Sequence, residues 1–430
     1  MLKKNRVQQI LENMAFSFYN LAWKAAIPFL RHNHRLADGF SERTLSVKLT
    51  KADIWIQAAS AGESYIALTL LKGFRLVSGG SANVLVTTNT RQGLDILNKG
   101  APDIVNGCNM NISTAFFPFD KPALMEAAVK QVSPGIMILM ETEMWPGHLA
   151  ALKKHQSKIL IINGRITEKS LNQYLLWPSL WRSLMPDKIC AVTPMEAKRF
   201  ACLFDSASVD VMPNIKFDTV AEKTDYSALE KQIKQFFNPE TSFLVLGSVR
   251  GEEEADINNI ILEVFSRFPG VVIGFFPRHL HRIFEIQEEL NRVSMKFILR
   301  SEIKESVSPG TVILWDAFGE LGAAYNIAHA AFVGGSLAPL GGQNFLEPLV
   351  SGIIPVTGPY WDNFKWIGKE VFHQGLVQKA SGWKETALIL VENLKNPASR
   401  KTVEKKARVY IKDRQGGALF ASRVINSFYS

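Results

Sequence analysis

Apolar residues in this chain come in short dense runs, separated by polar turns and by segments of helical length. After residue 50 the runs are "DIWIQAA", "NVLVTTN", "TAFFPF", "GIMILME", "KILIING", "KICAVT" and "VDVMP". They are continuous rather than alternating, which suits strands buried on both faces of a parallel sheet. Helix-length stretches such as "YIALTLLKGFRLV" and "KPALMEAAVKQV" lie between them. Strand and helix in alternation predict a doubly wound α/β domain.

The pattern lapses in "TVAEKTDYSALEKQIKQFFNPET", which is polar and charged. It restarts with "SFLVLGS", "GVVIGFFPR", "KFILRS", "TVILWD", "AAFVGGS" and "IIPVTG". The division this predicts is a first domain over 36–215, a connection over 216–240 and a second domain over 241–405. Residues 406–430 read as one or two helices broken at Gly416-Gly417, able to pack back on the first domain. Two such domains in tandem would face a cleft, with ligands outside the C-terminal ends of the strands.

The first 35 residues differ from the rest. Lys3, Lys4, Arg6, Lys24, Arg31 and Arg35 stand against one acid, Glu12, around the apolar "MAFSFYNLAWKAAIPFL". Lys24 and Pro28 interrupt that run, which falls short of the roughly 20 residues a span prefers. Two readings remain: an interfacial anchor with its cations on an anionic surface, or a core-packing first helix.

Composition changes this picture little. The 430 residues are 47% hydrophobic and 21% charged, an ordinary globular balance, with a formal charge of +9. That charge suits an anionic membrane or a phosphorylated substrate, and no nucleic-acid-binding signature accompanies it. Cys108, Cys190 and Cys202 are scattered, so neither a zinc site nor a disulfide framework is indicated.

Candidate chemistry clusters after strands. In Ser60-Ala61-Gly62-Glu63 the S-x-x-E spacing is that of a capping box, yet Glu63 also follows a buried strand. A helix N-terminus would lower its pKa and keep it ionised. "TTNTRQG" (87–93) reads as a cap followed by Arg91. "METEMWPG" (140–147) places Glu141 and Glu143 at the end of a central strand, where they need cations such as Arg165 of "NGRITEKS". Asn163 and Glu168 share that segment, and "NIKFD" adds Asn214, Lys216 and Asp218. In the second domain, Ser248 and Arg250 precede Glu252–Glu254, acids that suit a helix dipole. Arg278 and His279 follow another strand, and an Arg fork matches phosphate oxygens. The Gly-containing turn in "DAFGELGAAYN" could hold an anion. In "GGSLAPLGGQNFLEP", Gly334, Gly335, Gly341 and Gly342 permit close backbone approach to a ligand. Asn344 and Glu347 would share one face of a short helix, with Glu347 suited to a ribose diol. Neither a P-loop nor a GxGxxG fingerprint is present.

Taken in order, "SAGE", "TTNTRQG", "FPFD", "METEMWP", "NGRITEKS", "NIKFD", "GSVRGEE", "PRH", "GEL", "FVGGSL" and "GGQNFLEP" resemble the Kdo (3-deoxy-D-manno-octulosonic acid) transferases of lipopolysaccharide assembly. The resemblance implies the GT-B architecture of two Rossmann-like domains facing a central cleft, with an N-terminal membrane-associating segment over residues 1–35. It implies an inverting transfer of Kdo from CMP-Kdo to a lipid A precursor, at the cytoplasmic face of the inner membrane, with no cofactor and no metal. By matching motif, Glu63 is implied as general base, and Glu141 and Lys216 as residues assisting the transition state. Pro277, Arg278, Phe318, Gly319, Glu320, Asn344, Phe345, Leu346 and Glu347 are implied as the CMP site. The chain departs from the family pattern at Gln57 and Gln343, where His is common, at Thr193-Pro194, where Gln-Ser is frequent, and at Pro213, where Gly is usual. Gln can stand in for a neutral His in hydrogen bonding but cannot titrate. The residues alone also fit a GT-B enzyme using a UDP-sugar, an epimerase included, or a scaffold keeping the fold without the chemistry.

Overall fold

A computed structural model describes residues 6–76, 80–105, 110–220 and 225–429. Cys108 and residues 221–224 of the connecting segment lie outside them. The chain divides into two compact units, Met1–Ala221 with Arg414–Ser430, and Glu222–Asp413.

The first unit is built on seven strands: β1 (Ile54–Gln57), β2 (Ala82–Thr88), β3 (Met110–Phe116), β4 (Ile136–Met140), β5 (Lys158–Gly164), β6 (Lys188–Ala191) and β7 (Val209–Val211). They pair in parallel in the order β3-β2-β1-β4-β5-β6-β7. Each apolar run quoted above becomes one of these strands. β1 and β4 are buried at every position, as continuous apolar sequence requires. Strand order reverses between β1 and β4. In such sheets the crevice outside the carboxyl ends at the reversal is where ligands bind.

The second unit repeats the plan with β8 (Ser242–Val249), β9 (Val271–Pro277), β10 (Phe297–Leu299), β11 (Val312–Leu314), β12 (Ala330–Val333), β13 (Val356–Thr357) and β14 (Gln378–Lys379). Its order is β10-β11-β9-β8-β12-β13-β14, again parallel throughout, and it reverses between β8 and β12. β14 is a two-residue polar strand at the sheet edge, with no apolar run to announce it.

The connecting segment is divided between the units. A short helix at Lys216–Thr219 lies in the first, and the helix Ser227–Lys234 in the second. The C-terminal segment forms the helices Arg400–Lys412 and Gly417–Phe428, broken at Gly416, whose φ of +98° suits glycine. The last helix belongs to the first unit. It buries Ala418, Ala421 and Ile425 in the cluster that holds Ile66 and Leu70 of the helix Ala61–Gly73. The Asp218 carboxylate accepts from the N–H groups of Gly416 and Ala418, both at 2.7 Å. Asp218 thus caps the last helix, satisfying donors the helix cannot satisfy itself.

The N-terminal helix runs Arg6–Leu30, with Pro28 inside it. Among the described residues no helix is long and apolar enough to cross a membrane. One face, carrying Tyr19, Asn20 and Trp23, docks on the first unit. Trp23 lies 5.7 Å from the Phe119 ring, and the Ala123 N–H donates to Asn20 Oδ1 at 3.2 Å. Ile10, Leu11, Met14, Phe18 and Leu21 are exposed on the remaining surface of the helix.

Candidate active site

In the first unit, the carboxylates implied by sequence gather at the β1/β4 reversal. Glu63 sits in the first turn of the helix Ala61–Gly73, which follows β1 directly. The capping box exists in altered form. Ser60 Oγ accepts from the Glu63 N–H at 3.3 Å and donates to Glu63 Oε1 at 2.9 Å. The reciprocal bond to Glu63 Oε2, 2.8 Å, comes from the Ala59 N–H rather than from Ser60. A carboxylate has about four lone-pair sites, so these bonds leave Glu63 able to accept another proton donor.

The expectation of a depressed Glu63 pKa fails. Burial, reinforced by the Glu143 and Glu141 carboxylates, pushes it up to about 7. Glu63 is only 9% exposed, and loss of water outweighs the dipole and the two hydrogen bonds together.

Glu141 follows β4 with φ +56°, and its N–H is held by the Ile162 carbonyl. Its Oε1 lies 2.7 Å from Lys216 Nζ and 3.6 Å from Arg165. Glu143 accepts from the Trp145 indole at 2.8 Å, and burial pushes its pKa up, with Glu141 adding to the rise. Arg165 also reaches Glu196 at 3.9 Å. Thr193 caps the helix Pro194–Leu203, its Oγ1 accepting from the Glu196 N–H at 3.1 Å and donating to Glu196 Oε2 at 2.9 Å, so the Thr at this departure has a structural use.

Gln57 is fully buried and bridges β1 to the "TTNTRQG" loop. Its Oε1 accepts from Thr87 Oγ1 at 2.6 Å and its Nε2 donates to Asn89 Oδ1 at 3.1 Å. A neutral imidazole, with one acceptor and one donor nitrogen, could make the same bridge. Arg91 is largely exposed and pairs with Asp95.

The second unit collects its candidates at strand ends as well, but several are already engaged. Glu320 receives a bidentate fork from Arg300, at 2.9 and 3.1 Å, and a bond from the Trp315 indole at 2.9 Å. Phe318 is 77% exposed beside Gly319, whose φ is +87°. Pro277 closes β9, and the Arg278 N–H is held by the Val249 carbonyl. Phe345 and Leu346 are buried. Asn344 Nδ2 donates to Glu347 Oε1 at 2.9 Å, while Asn344 Oδ1 accepts from the Leu346 N–H at 3.1 Å. The helix they open, Leu346–Val350, has only 5 residues. Gln343 joins this region through its N–H, held by the Gly334 carbonyl at 3.0 Å.

At Gly334-Gly335 the glycine loop after β12 is occupied from within the protein. The Glu253 carboxylate fills it, accepting from the N–H groups of Gly335, Ser336 (3.1 Å) and Leu337 (3.2 Å), and from Arg250 (3.0 Å). Reading Glu252–Glu254 as dipole-compensating acids missed this. Glu254 in turn pairs with Arg282 at 2.7 Å. The one available signal was an acid three residues after Arg250 and a glycine pair far downstream, which a linear reading does not join.

Residues 34–219 match the family model described as 3-Deoxy-D-manno-octulosonic-acid transferase (kdotransferase). A bifunctional glycosyltransferase/methyltransferase of Fusobacterium nucleatum subsp. nucleatum is 30% identical over 399 residues, 88% of this chain, and the chain spans 59% of that relative's length. A 3-deoxy-D-manno-octulosonic acid transferase of Haemophilus influenzae is 26% identical over 341 residues, covering 78% of this chain and 77% of its own. Among solved structures, a glycosyltransferase from Rickettsia africae ESF-5 aligns over 89% of this chain and 99% of its own, with a TM-score of 0.57 at 12% identity, a likeness of fold.

Proposed function

We propose that this chain is a Kdo transferase, an inverting glycosyltransferase moving Kdo from CMP-Kdo to a lipid A precursor, a reading supported by the match of residues 34–219 to the Kdo transferase model and by the likeness to the Haemophilus influenzae enzyme. The observation carrying this reading is Glu63: a buried carboxylate at the strand reversal of the first sheet, with its pKa raised to about 7. A general base works best when its pKa lies near the working pH.

In this reading an acceptor hydroxyl attacks the anomeric carbon and gives its proton to Glu63. The new C–O bond forms as the bond to the cytidylate oxygen breaks, and the electron pair leaves with CMP. A single displacement inverts the anomeric centre. Lys216 and Glu141, paired at 2.7 Å, place a fixed dipole beside the base that assists the transition state. In the second unit, Arg278 supplies a cation for the departing phosphate, and the Asn344–Glu347 pair supplies acceptors for a ribose diol. The reaction as written calls for no metal and no cofactor.

The membrane reading rests on the N-terminal helix. Its exposed Ile10, Met14, Phe18 and Leu21 recur at helical spacing, with Lys24 close by. Such a helix lies in a lipid interface with cations at anionic headgroups, as fits an enzyme on the cytoplasmic face of the inner membrane.

The test incubates purified protein with CMP-Kdo and a tetra-acylated lipid A precursor and reads products by mass spectrometry. Mass increments of Kdo on the acceptor support the proposal and count the residues added. An unmodified acceptor, with CMP-Kdo intact and the protein folded, refutes it.

A further inference from the structure

The helix Pro146–His155 starts without a cap of its own, since Trp145 offers its first turn no side-chain hydrogen bond. A carboxylate from elsewhere takes that place. The N–H of Gly147 donates to Asp120 Oδ2 at 2.9 Å, and that of His148 to Asp120 Oδ1 at 2.7 Å. Asp120 is buried, and Gly147 is fitted tightly to it. A Cβ there would stand 2.7 Å from the Asp120 carbonyl oxygen and 3.0 Å from Oδ1. His148 is itself enclosed, 5.1 Å from the Trp55 ring and 5.0 Å from Phe117, so this helix start has little room to shift.

The segment Glu141–Trp145 therefore hangs between two fixed points. One is Met140, the last residue of β4, and the other is the helix start held by Asp120. It carries Glu141 and Glu143, the carboxylates that act on Glu63. A third hydrogen bond reaches Asp120 Oδ2 from outside, 3.0 Å from the hydroxyl of Tyr19 on the N-terminal helix.

We propose that Asp120 is a positioning residue that sets the Glu141 and Glu143 carboxylates by anchoring the far end of their loop, and that Tyr19 makes this anchor depend on the seating of the N-terminal helix. The catalytic half of the proposal rests on Glu63 and Glu141 acting as above; the mechanical half does not. The exposed apolar residues that suit a lipid surface lie on the same helix as Tyr19, so seating that helix would be read at the loop without any direct contact with substrate.

The test uses the full chain and two variants. Tyr19→Phe removes one hydroxyl and leaves the ring packing. Asp120→Asn keeps the shape and forces an amide N–H against one of the two helix donors. Hydrogen exchange read at Gly147 and His148 should rise about three- to tenfold in Tyr19→Phe, the weight of one hydrogen bond, and further in Asp120→Asn. With CMP-Kdo and acceptor, kcat should fall by a similar factor in Tyr19→Phe while KM for both substrates stays within about twofold. The acid limb of kcat/KM should move to lower pH in Tyr19→Phe, as Glu141 and Glu143, with Lys216 and Arg165 paired to Glu141, relax away from Glu63. The limb is read in this variant because burial pushes the Asp120 carboxyl itself up to about 7, so Asp120→Asn removes a group titrating in the same range. Wild-type exchange at both amides in Tyr19→Phe overturns the mechanical half. An unmoved acid limb and unchanged kcat, with exchange raised, overturn the positioning role. Exchange needs no turnover, so it reads the linkage even if CMP-Kdo proves not to be the donor.

Discussion

Lys216 Nζ stands 2.7 Å from Glu141 Oε1 across 75 residues of sequence, and the pair lies beside the raised carboxyl of Glu63. The cation compensates one of two acids that would otherwise repel each other and Glu63. Three carboxylates can share this corner of the sheet because Lys216 and Arg165 are there with them.

Glu63→Gln should cut kcat by about a hundredfold to ten-thousandfold, the usual weight of a positioned base. Wild-type kcat/KM should rise with pH through about 7, and that limb should vanish in the variant. Steady-state rates between pH 5 and 9 check both. Wild-type turnover in Glu63→Gln would remove Glu63 from the base role.

The same substitution should stabilise the protein at high pH. The folded pKa of Glu63 is raised above the ordinary 4.5, so the folded state binds the proton more tightly than the unfolded state does. That contribution is fully present below the unfolded value and is lost as pH rises through about 7. Above it, wild type holds a buried charge that glutamine lacks. Urea unfolding at pH 8.5 should favour Glu63→Gln by about 1–3 kcal/mol, an advantage absent at pH 4.

Glu141→Gln removes one of the charges that lift Glu63, so the acid limb of kcat/KM should move toward lower pH. Lys216→Met should lower kcat without that shift in the same direction, since it leaves the acid and removes the cation. An acid limb unchanged in Glu141→Gln would mean the two carboxylates do not sense each other in solution.

Glu253→Ala leaves the N–H groups of Gly335, Ser336, Leu337 and Arg250 without their acceptor. At roughly 1 kcal/mol or more for each buried donor, the loss should be about 3–5 kcal/mol in urea unfolding. Glu253→Gln, which keeps one acceptor oxygen, should lose less.

Arg278→Ala should weaken CMP binding about tenfold or more, as loss of a charge-assisted contact does. Calorimetric titration of the wild type should show CMP binding and UDP failing to compete. Tight UDP binding would instead favour a UDP-sugar enzyme.

Both sheets were legible because strands buried on two faces leave continuous apolar runs, and because strand ends in a parallel sheet point their loops one way. That placed Glu63 and Glu141 at strand ends before any coordinates, whereas their roles, and that of Lys216, came from the resemblance in motif. What stayed hidden depends on distance across the fold. The Glu253 carboxylate meets Gly335 from 82 residues away, and Asp120 caps a helix that starts after Trp145. The sign of the Glu63 shift was misjudged because a helix start is visible in sequence, whereas the burial and neighbouring acids that overrule it are not. β14 escaped because Gln378 and Lys379 carry no apolar signal.

The last helix, capped by Asp218 and closed over Ile66 and Leu70, has a consequence for biosynthesis. Asn426 Nδ2 bonds to the Arg75 carbonyl across 351 residues. A ribosome adding about 5–20 residues per second needs roughly 20–70 s to travel that stretch. Throughout that interval the side of the helix Ala61–Gly73 that meets Ala418, Ala421 and Ile425 lacks their cover, while the second unit is synthesised. The packing of the helix that bears Glu63 is therefore completed only after the second unit has been synthesised.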